Sequence, residues 1–219
     1  MRIKSIHSDN HNKFFQDKYL NKLVDLSLEN LENDVFLNII TLIKLPNLEN
    51  IKNIIPQFKL DPDCEDISVY DEILSIFNEI YNEKEYANIK GSFLELLTFK
   101  FINRKYDVYK SDFDCYVELD GVKSDKTVDV FALCINLKGF ICECKLSHIN
   151  FKDYHLSNLN NIFKNSNDIL LPYIITFSNR ELIRDKLITI VKDDDTNSDV
   201  YLGLIKIISN NNLSDFFVW

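Results

Sequence analysis

Between Thr127 and Ser147 the chain reads TVDVFALCINLKGFICECKLS, two apolar runs joined by a short connection, which predicts a pair of β-strands. Only three ionisable residues interrupt the apolar runs: Asp129 in the first, Glu143 and Lys145 in the second. Alternation puts Ile141, Glu143 and Lys145 on one face of the second strand and Phe140, Cys142 and Cys144 on the other. Asp129 shares its face with Phe131 and Leu133. If Gly139 closes a three-residue connection, positions whose numbers sum to an even value pair, and Asp129, Glu143 and Lys145 project together.

The remaining pattern divides in two. Residues 13–44 place Phe14, Leu20, Leu23, Leu31, Val35, Ile39 and Leu42 at helical spacing, and a short helix is expected between Pro46 and Pro56. Asp61 to Asp66 reads as a solvated acidic turn capping a helix from about Ser68, whose stripe is Tyr70, Ile73, Leu74, Phe77 and Ile80. A further helix spans Glu85 to Arg104, with Tyr86, Ile89, Phe93, Leu96, Leu97 and Phe101 inward. Its other lane holds Asn88, Gly91, Ser92, Glu95 and Thr98; Gly91 costs about 1 kcal/mol against Ala, which predicts close approach of another backbone or a substrate there. A strand or broken strand pair covers Tyr106–Leu119, ahead of a turn at Asp120–Gly121. After the hairpin come a helix (Phe151–Lys164), an apolar strand (Leu171–Phe177) and a segment at Arg180–Val191. That last segment reads as a helix, or its end as one arm of a hairpin with Val200–Ile207.

This order predicts an α-helical layer over residues 1–83 and an α/β domain with a central mixed sheet flanked by helices over 84–219. Apolar content of 46% is enough for a core. Without an apolar run long enough to span a bilayer, and with a polar N-terminus, a cytoplasmic protein without membrane partners is expected. Five cysteines in no paired spacing predict reduced, buried thiols. Cys142, Cys144 and His148 invite a zinc reading, but both cysteines fall on the face opposite Glu143.

The net charge of −9 argues against a surface that coats nucleic acid broadly. It is uneven: residues 1–83 carry 8 Lys+Arg against 15 Asp+Glu, the rest 17 against 19. An acidic helical layer suits a protein partner or self-association better than phosphates.

Two carboxylates about 4 Å apart repel by roughly 4 kcal/mol at an effective dielectric near 20, so Asp129 and Glu143 call for a cation between them. Carboxylate oxygens suit Mg²⁺ or Mn²⁺. Blander readings stand beside this one: Glu143 and Lys145 as an exposed ion pair on an edge strand, Asp129 as a turn cap, Glu95 as a solvated helical residue, and His148 and His155 as helix-cap or surface histidines.

A helix with Glu95, a strand with Asp129 and the triplet Glu143-Cys144-Lys145 together resemble the PD-(D/E)xK nuclease superfamily over roughly residues 84–178. Val128 stands where the proline that names the motif would be, and Ser147 where some members carry a further polar residue. The resemblance implies a restriction-endonuclease-like core of helix, three strands, helix and strand. It implies an Mg²⁺- or Mn²⁺-dependent endonuclease, acting on DNA rather than RNA, in restriction or phage defence. By the same resemblance Asp129, Glu143 and the Cys144 carbonyl would hold the ion, Lys145 would serve the attacking water, and Glu95 would hold a second ion. Lys90, Lys152 and Arg180 are candidate substrate contacts. A homodimer is implied by analogy, as is an alternative: a catalytically silent binding subunit of a larger complex, with residues 1–83 meeting the partner.

Overall fold

The computed structural model describes residues 1–8, 13–61, 67–136, 138–192 and 205–209; the acidic 62–66 turn and the 200–204 part of the alternative hairpin lie outside them. By internal contacts the chain forms two compact units, Lys13–Leu97 and a sheet unit of the first residues together with Thr98 onward.

The helical unit holds α1 (Lys18–Glu29), α2 (Asp34–Lys44), α3 (Leu48–Lys59), α4 (Ile67–Asn82) and the first part of α5 (Tyr86–Lys105). Side-chain caps start the first three: Asp17 accepts from Leu20 N–H (2.7 Å), Asn33 from Val35 N–H (3.0 Å) and Asn47 from Asn50 N–H (2.9 Å). Leu20, Leu23, Phe36, Ile39, Ile51, Ile55, Tyr70, Ile73, Phe77 and Ile80 are buried. The helix predicted between the two prolines instead runs through Pro56, which is exposed. Burial of Ile51 and Ile55 on its other side offsets the lost backbone bond. Tyr86, expected inward, is 38% exposed and stacks on Tyr81 with centroids 5.1 Å apart. Among the described residues no other backbone approaches Gly91, where a Cβ would meet no atom within 4 Å.

The sheet unit is a mixed sheet of β1 (Ile3–His7), β2 (Val108–Leu119), β3 (Val122–Lys123), β4 (Val128–Cys134), β5 (Gly139–Lys145), β6 (Leu170–Thr176) and β7 (Lys206–Ile208). Its order is β1-β2-β4-β5-β6-β7, with β3 paired to β2 alone. The Ile3–His7 strand departs from the expected helical layer over 1–83. It pairs antiparallel with β2, Lys4 lying opposite Glu118, and is anchored by Arg2 N–H on Asp120 Oδ1 at 2.6 Å. Asp120 and Gly121 both have positive φ, 49° and 90°, as a two-residue hairpin turn into β3 requires. β2 is one strand with a register shift near Val108–Lys110 rather than a broken pair.

β4 and β5 pair as Val130↔Cys142, Phe131↔Ile141, Ala132↔Phe140 and Leu133↔Gly139, the even-sum register. Gly139 serves this register by close approach, not by its dihedrals. A Cβ there would collide with the Ala132 carbonyl and with a Leu170 methyl. Both neighbours are packed into central strands, so Gly139→Ala is expected to cost about 1–3 kcal/mol of stability, seen as a lower urea midpoint. An unchanged midpoint would show that β4 can retreat.

From β5 the chain crosses through α6 (Asp153–Asn165) to β6, which runs parallel to β5 with Glu143 beside Ile174 and Lys145 beside Thr176. α7 (Arg180–Lys192) follows, and β7 then adds parallel to β6. The alternative hairpin is therefore not formed at Lys206–Ile208, whose partner is β6. Phe131, Leu133, Ile141, Leu156, Leu159, Ile162, Ile174, Ile183 and Leu187 make one core on the α6–α7 face. On the other face Thr98 of α5 lies 3.7 Å from Cys144 Sγ, and Tyr106 packs on Phe140 at 4.8 Å.

Candidate functional site

Asp129, Glu143 and Lys145 meet where the β4–β5 ladder ends. Val130↔Cys142 is the last paired position, and beyond it the Asp129 carboxylate takes the place of a strand partner. Its Oδ2 accepts from Cys144 N–H at 2.7 Å and from Lys145 Nζ at 2.7 Å. Lys145 Nζ also lies 2.6 Å from Glu143 Oε1, so one ammonium bridges both carboxylates. Asp129 is thus a backbone cap and a site carboxylate together. The edge-strand reading of Glu143 fails because β5 lies between β4 and β6, and Glu143 is only 3% exposed.

Two carboxylates and one ammonium leave the cluster with one net negative charge in a buried place. Burial first, and the Asp129 charge second, raise the proton affinity of Glu143 above the usual carboxylate range, with Lys145 opposing. Sharing explains why a contact as short as 2.6 Å does not cancel the upward effect of burial on Glu143: Lys145 also serves Asp129.

A fourth residue enters from α6. His155 is buried, and its Nε2 stands 3.1 Å from Glu143 Oε1. Its Nδ1 accepts the N–H of Lys152 at 2.9 Å. Burial, then the Lys145 charge, pushes its pKa down to about 4, so the ring is neutral. The helix-cap reading of His155 describes only half of its role. What the sequence offered was a histidine in the first turn of the helix after the triplet, a weak signal without knowledge of which way that turn faces.

The order α5, β2, β4, β5, α6, β6 is helix, three strands, helix and parallel strand, with the aspartate on the second main strand and the triplet on the third. That placement decides the architecture. The fold is restriction-endonuclease-like. No protein-family model and no curated protein matches the sequence. Among solved structures, the crystal structure of protein VC1899 from Vibrio cholerae is similar, with a TM-score of 0.53 at 16% identity, over 99% of this chain and 57% of that one. Can2 from Sulfobacillus thermosulfidooxidans, solved with cyclic tetra-adenylate, gives 0.47 at 9% identity over 99% and 55%. Restriction endonuclease PspGI, solved with substrate DNA, gives 0.39 at 10% identity over 98% and 97%. The chain spans little more than half the length of the first two proteins. At 16% identity the likeness to the Vibrio protein concerns the fold alone.

Within this restriction-endonuclease-like fold the other candidates are spread out. Glu95 is half-buried on the part of α5 that belongs to the helical unit. Lys90 lies in that unit too, where its ammonium donates to the Leu45 carbonyl and to the Tyr81 hydroxyl at 2.8 Å; burial lowers its pKa. Its charge is engaged there rather than offered to a substrate. Lys152 is exposed at the start of α6, beside the site, and Arg180 is exposed at the start of α7. Ser147 caps the short turn His148–Asn150. His148 N–H donates to Ser178 Oγ at 2.8 Å. Cys142 and Cys144 are buried free thiols on the α5 face; burial pushes the Cys142 pKa far up, which keeps it an inert thiol. Among the described residues no helix is long and apolar enough to cross a membrane.

The donor set suits a hard divalent cation. Among the described residues no group of three or more His, Cys, Asp or Glu side chains is arranged around an ion. Mg²⁺ asks for less, one or two carboxylates with waters completing its shell. Asp129 and Glu143 supply the two, and their excess negative charge supplies the electrostatic reason.

Proposed function

We propose that this chain is a divalent-cation-dependent nuclease that hydrolyses phosphodiester bonds in nucleic acid, with DNA the first substrate to test. The observation that carries the reading is charge balance at the end of β4 and β5. With both carboxylates ionised, the cluster of Asp129, Glu143 and Lys145 is one negative charge in excess, a charge that burial of Glu143 resists and a cation would relieve. A divalent ion would turn that excess into one positive charge, matched to an anionic phosphodiester.

Asp129, Glu143 and the Cys144 carbonyl would hold Mg²⁺ or Mn²⁺. When bound, such an ion supplies Lewis-acid polarisation of a phosphoryl oxygen and a water of lowered pKa. The protein's part is positional. Asp129, tied by Oδ2 to the Cys144 amide, keeps its carboxylate in a fixed plane. Lys145, released from bridging the carboxylates, would present its ammonium to the attacking water and to charge gathering on the phosphate. Lys152 and Arg180 remain candidate contacts to neighbouring phosphates.

The test is cleavage of plasmid, single-stranded DNA and RNA with Mg²⁺, Mn²⁺ or EDTA, beside a Glu143→Ala/Lys145→Ala double variant. Metal-dependent cutting confined to the unaltered protein is expected. Cutting that survives in the folded double variant would overturn the site assignment. Absence of Mn²⁺ binding would favour the silent binding subunit, in which Lys145 serves as the permanent counter-ion.

A further inference from the structure

The α6 histidine fills a need that the strand residues leave open, the orientation of the Glu143 carboxylate. His155 Nδ1 accepts the Lys152 N–H at 2.9 Å, so that nitrogen carries no proton, and in the neutral ring the proton sits on Nε2. Nε2 stands 3.1 Å from Glu143 Oε1, so the proton it carries lies on the side of that carboxylate. Lys145 reaches the same oxygen at 2.6 Å. Both contacts fall on Oε1, so together they set which way the Glu143 carboxylate is turned beside Asp129. The ring itself is held by the Phe151 edge, centroids 6.0 Å apart, and by Tyr154 at 4.2 Å. The backbone of α6 thus fixes the tautomer, and the tautomer fixes the carboxylate.

Resting on the cation site proposed above, we propose that His155 is a positioning residue that holds Glu143 for divalent-ion binding through its Nε2–H. It does not touch the reacting atoms. Its role begins with the first turn of α6 and ends on Oε1, so the order in which elements pack determines the ligand geometry.

A bland role as the cap of α6 would need only Nδ1, and two substitutions separate the roles. His155→Asn keeps an acceptor near the Lys152 N–H but is too short to reach Glu143. His155→Gln extends an amide that can donate to Oε1. The measurement is Mn²⁺ affinity of the full chain by electron paramagnetic resonance titration, with urea midpoints in EDTA to register folding and the rate of metal-supported cleavage as a second readout. His155→Asn is expected to weaken Mn²⁺ binding about 10- to 100-fold, and His155→Gln to stay within about threefold of the unaltered protein. Equal affinity in all three proteins overturns the inference, and so does an equal loss in both variants, because neither depends on the donor to Glu143. An unaltered protein that takes up no Mn²⁺ overturns the cation reading itself, and this inference with it.

Discussion

Lys145→Ala is expected to slow metal-supported cleavage about 10²- to 10³-fold while leaving Mn²⁺ affinity unchanged or tighter. The two readouts move apart because the ammonium has two places to be. Without an ion it bridges Asp129 and Glu143, 2.7 and 2.6 Å from their oxygens, and so competes for the seat a cation would take. During reaction it would be the positive charge nearest the developing negative charge on phosphate. Removing it frees the ligands and strips the transition state. In EDTA the same variant keeps the buried Glu143 and half-buried Asp129 carboxylates with no counter-ion, and a loss of about 3 kcal/mol is expected, recovered on adding Mg²⁺. Rate constants at saturating Mg²⁺, a Mn²⁺ titration and urea melts with and without EDTA measure all three quantities. Loss of Mn²⁺ affinity alongside rate would make Lys145 part of ion binding and defeat this division of roles.

Glu143→Gln should stabilise the metal-free protein at neutral and alkaline pH and abolish its response to Mg²⁺. The folded-state proton affinity of Glu143 is raised, by burial first and by Asp129 second. A group raised in this way gives its full stabilising share below the ordinary carboxylate pKa and loses it as pH climbs through the folded value. In EDTA the unaltered protein should therefore weaken between about pH 5 and pH 8, by up to about 4 kcal/mol at roughly 1.4 kcal/mol per pKa unit. The glutamine variant, which leaves Lys145 and Asp129 as a one-to-one pair, should stay flat over that range. With Mg²⁺ at a hundred times its dissociation constant the order reverses: the unaltered protein gains about 2.7 kcal/mol and the variant little. Parallel pH profiles for the two proteins would show that Glu143 carries no such strain.

Much of the candidate site was legible because its members lie in one hairpin. Alternation along two short strands placed Asp129, Glu143 and Lys145 on one face, and the β4–β5 register follows the even-sum rule. The structure adds the ion-pair geometry. Misreadings came from residues whose environment is supplied from far along the chain. Lys90 looked like a surface cation until Leu45 and Tyr81 were packed against it. Gly91 suggested an approaching backbone or substrate, and among the described residues no backbone fills the space above it. Ile3–His7 carries too little pattern for a strand, and its partner, β2, begins a hundred residues later.

By itself the sequence determined where most of the helices and the central strands form, and which three charges share one face of β4 and β5. Those properties depend on neighbours two to four positions away, within reach of backbone periodicity. Only the tertiary structure decided that β5 is a central strand, so that Glu143 loses its water, and that the first turn of α6 delivers His155 to that carboxylate. Both depend on how a crossover helix packs back onto the sheet. Burial, and the shift in proton affinity that follows from it, is a property of that packing and not of any local run of residues.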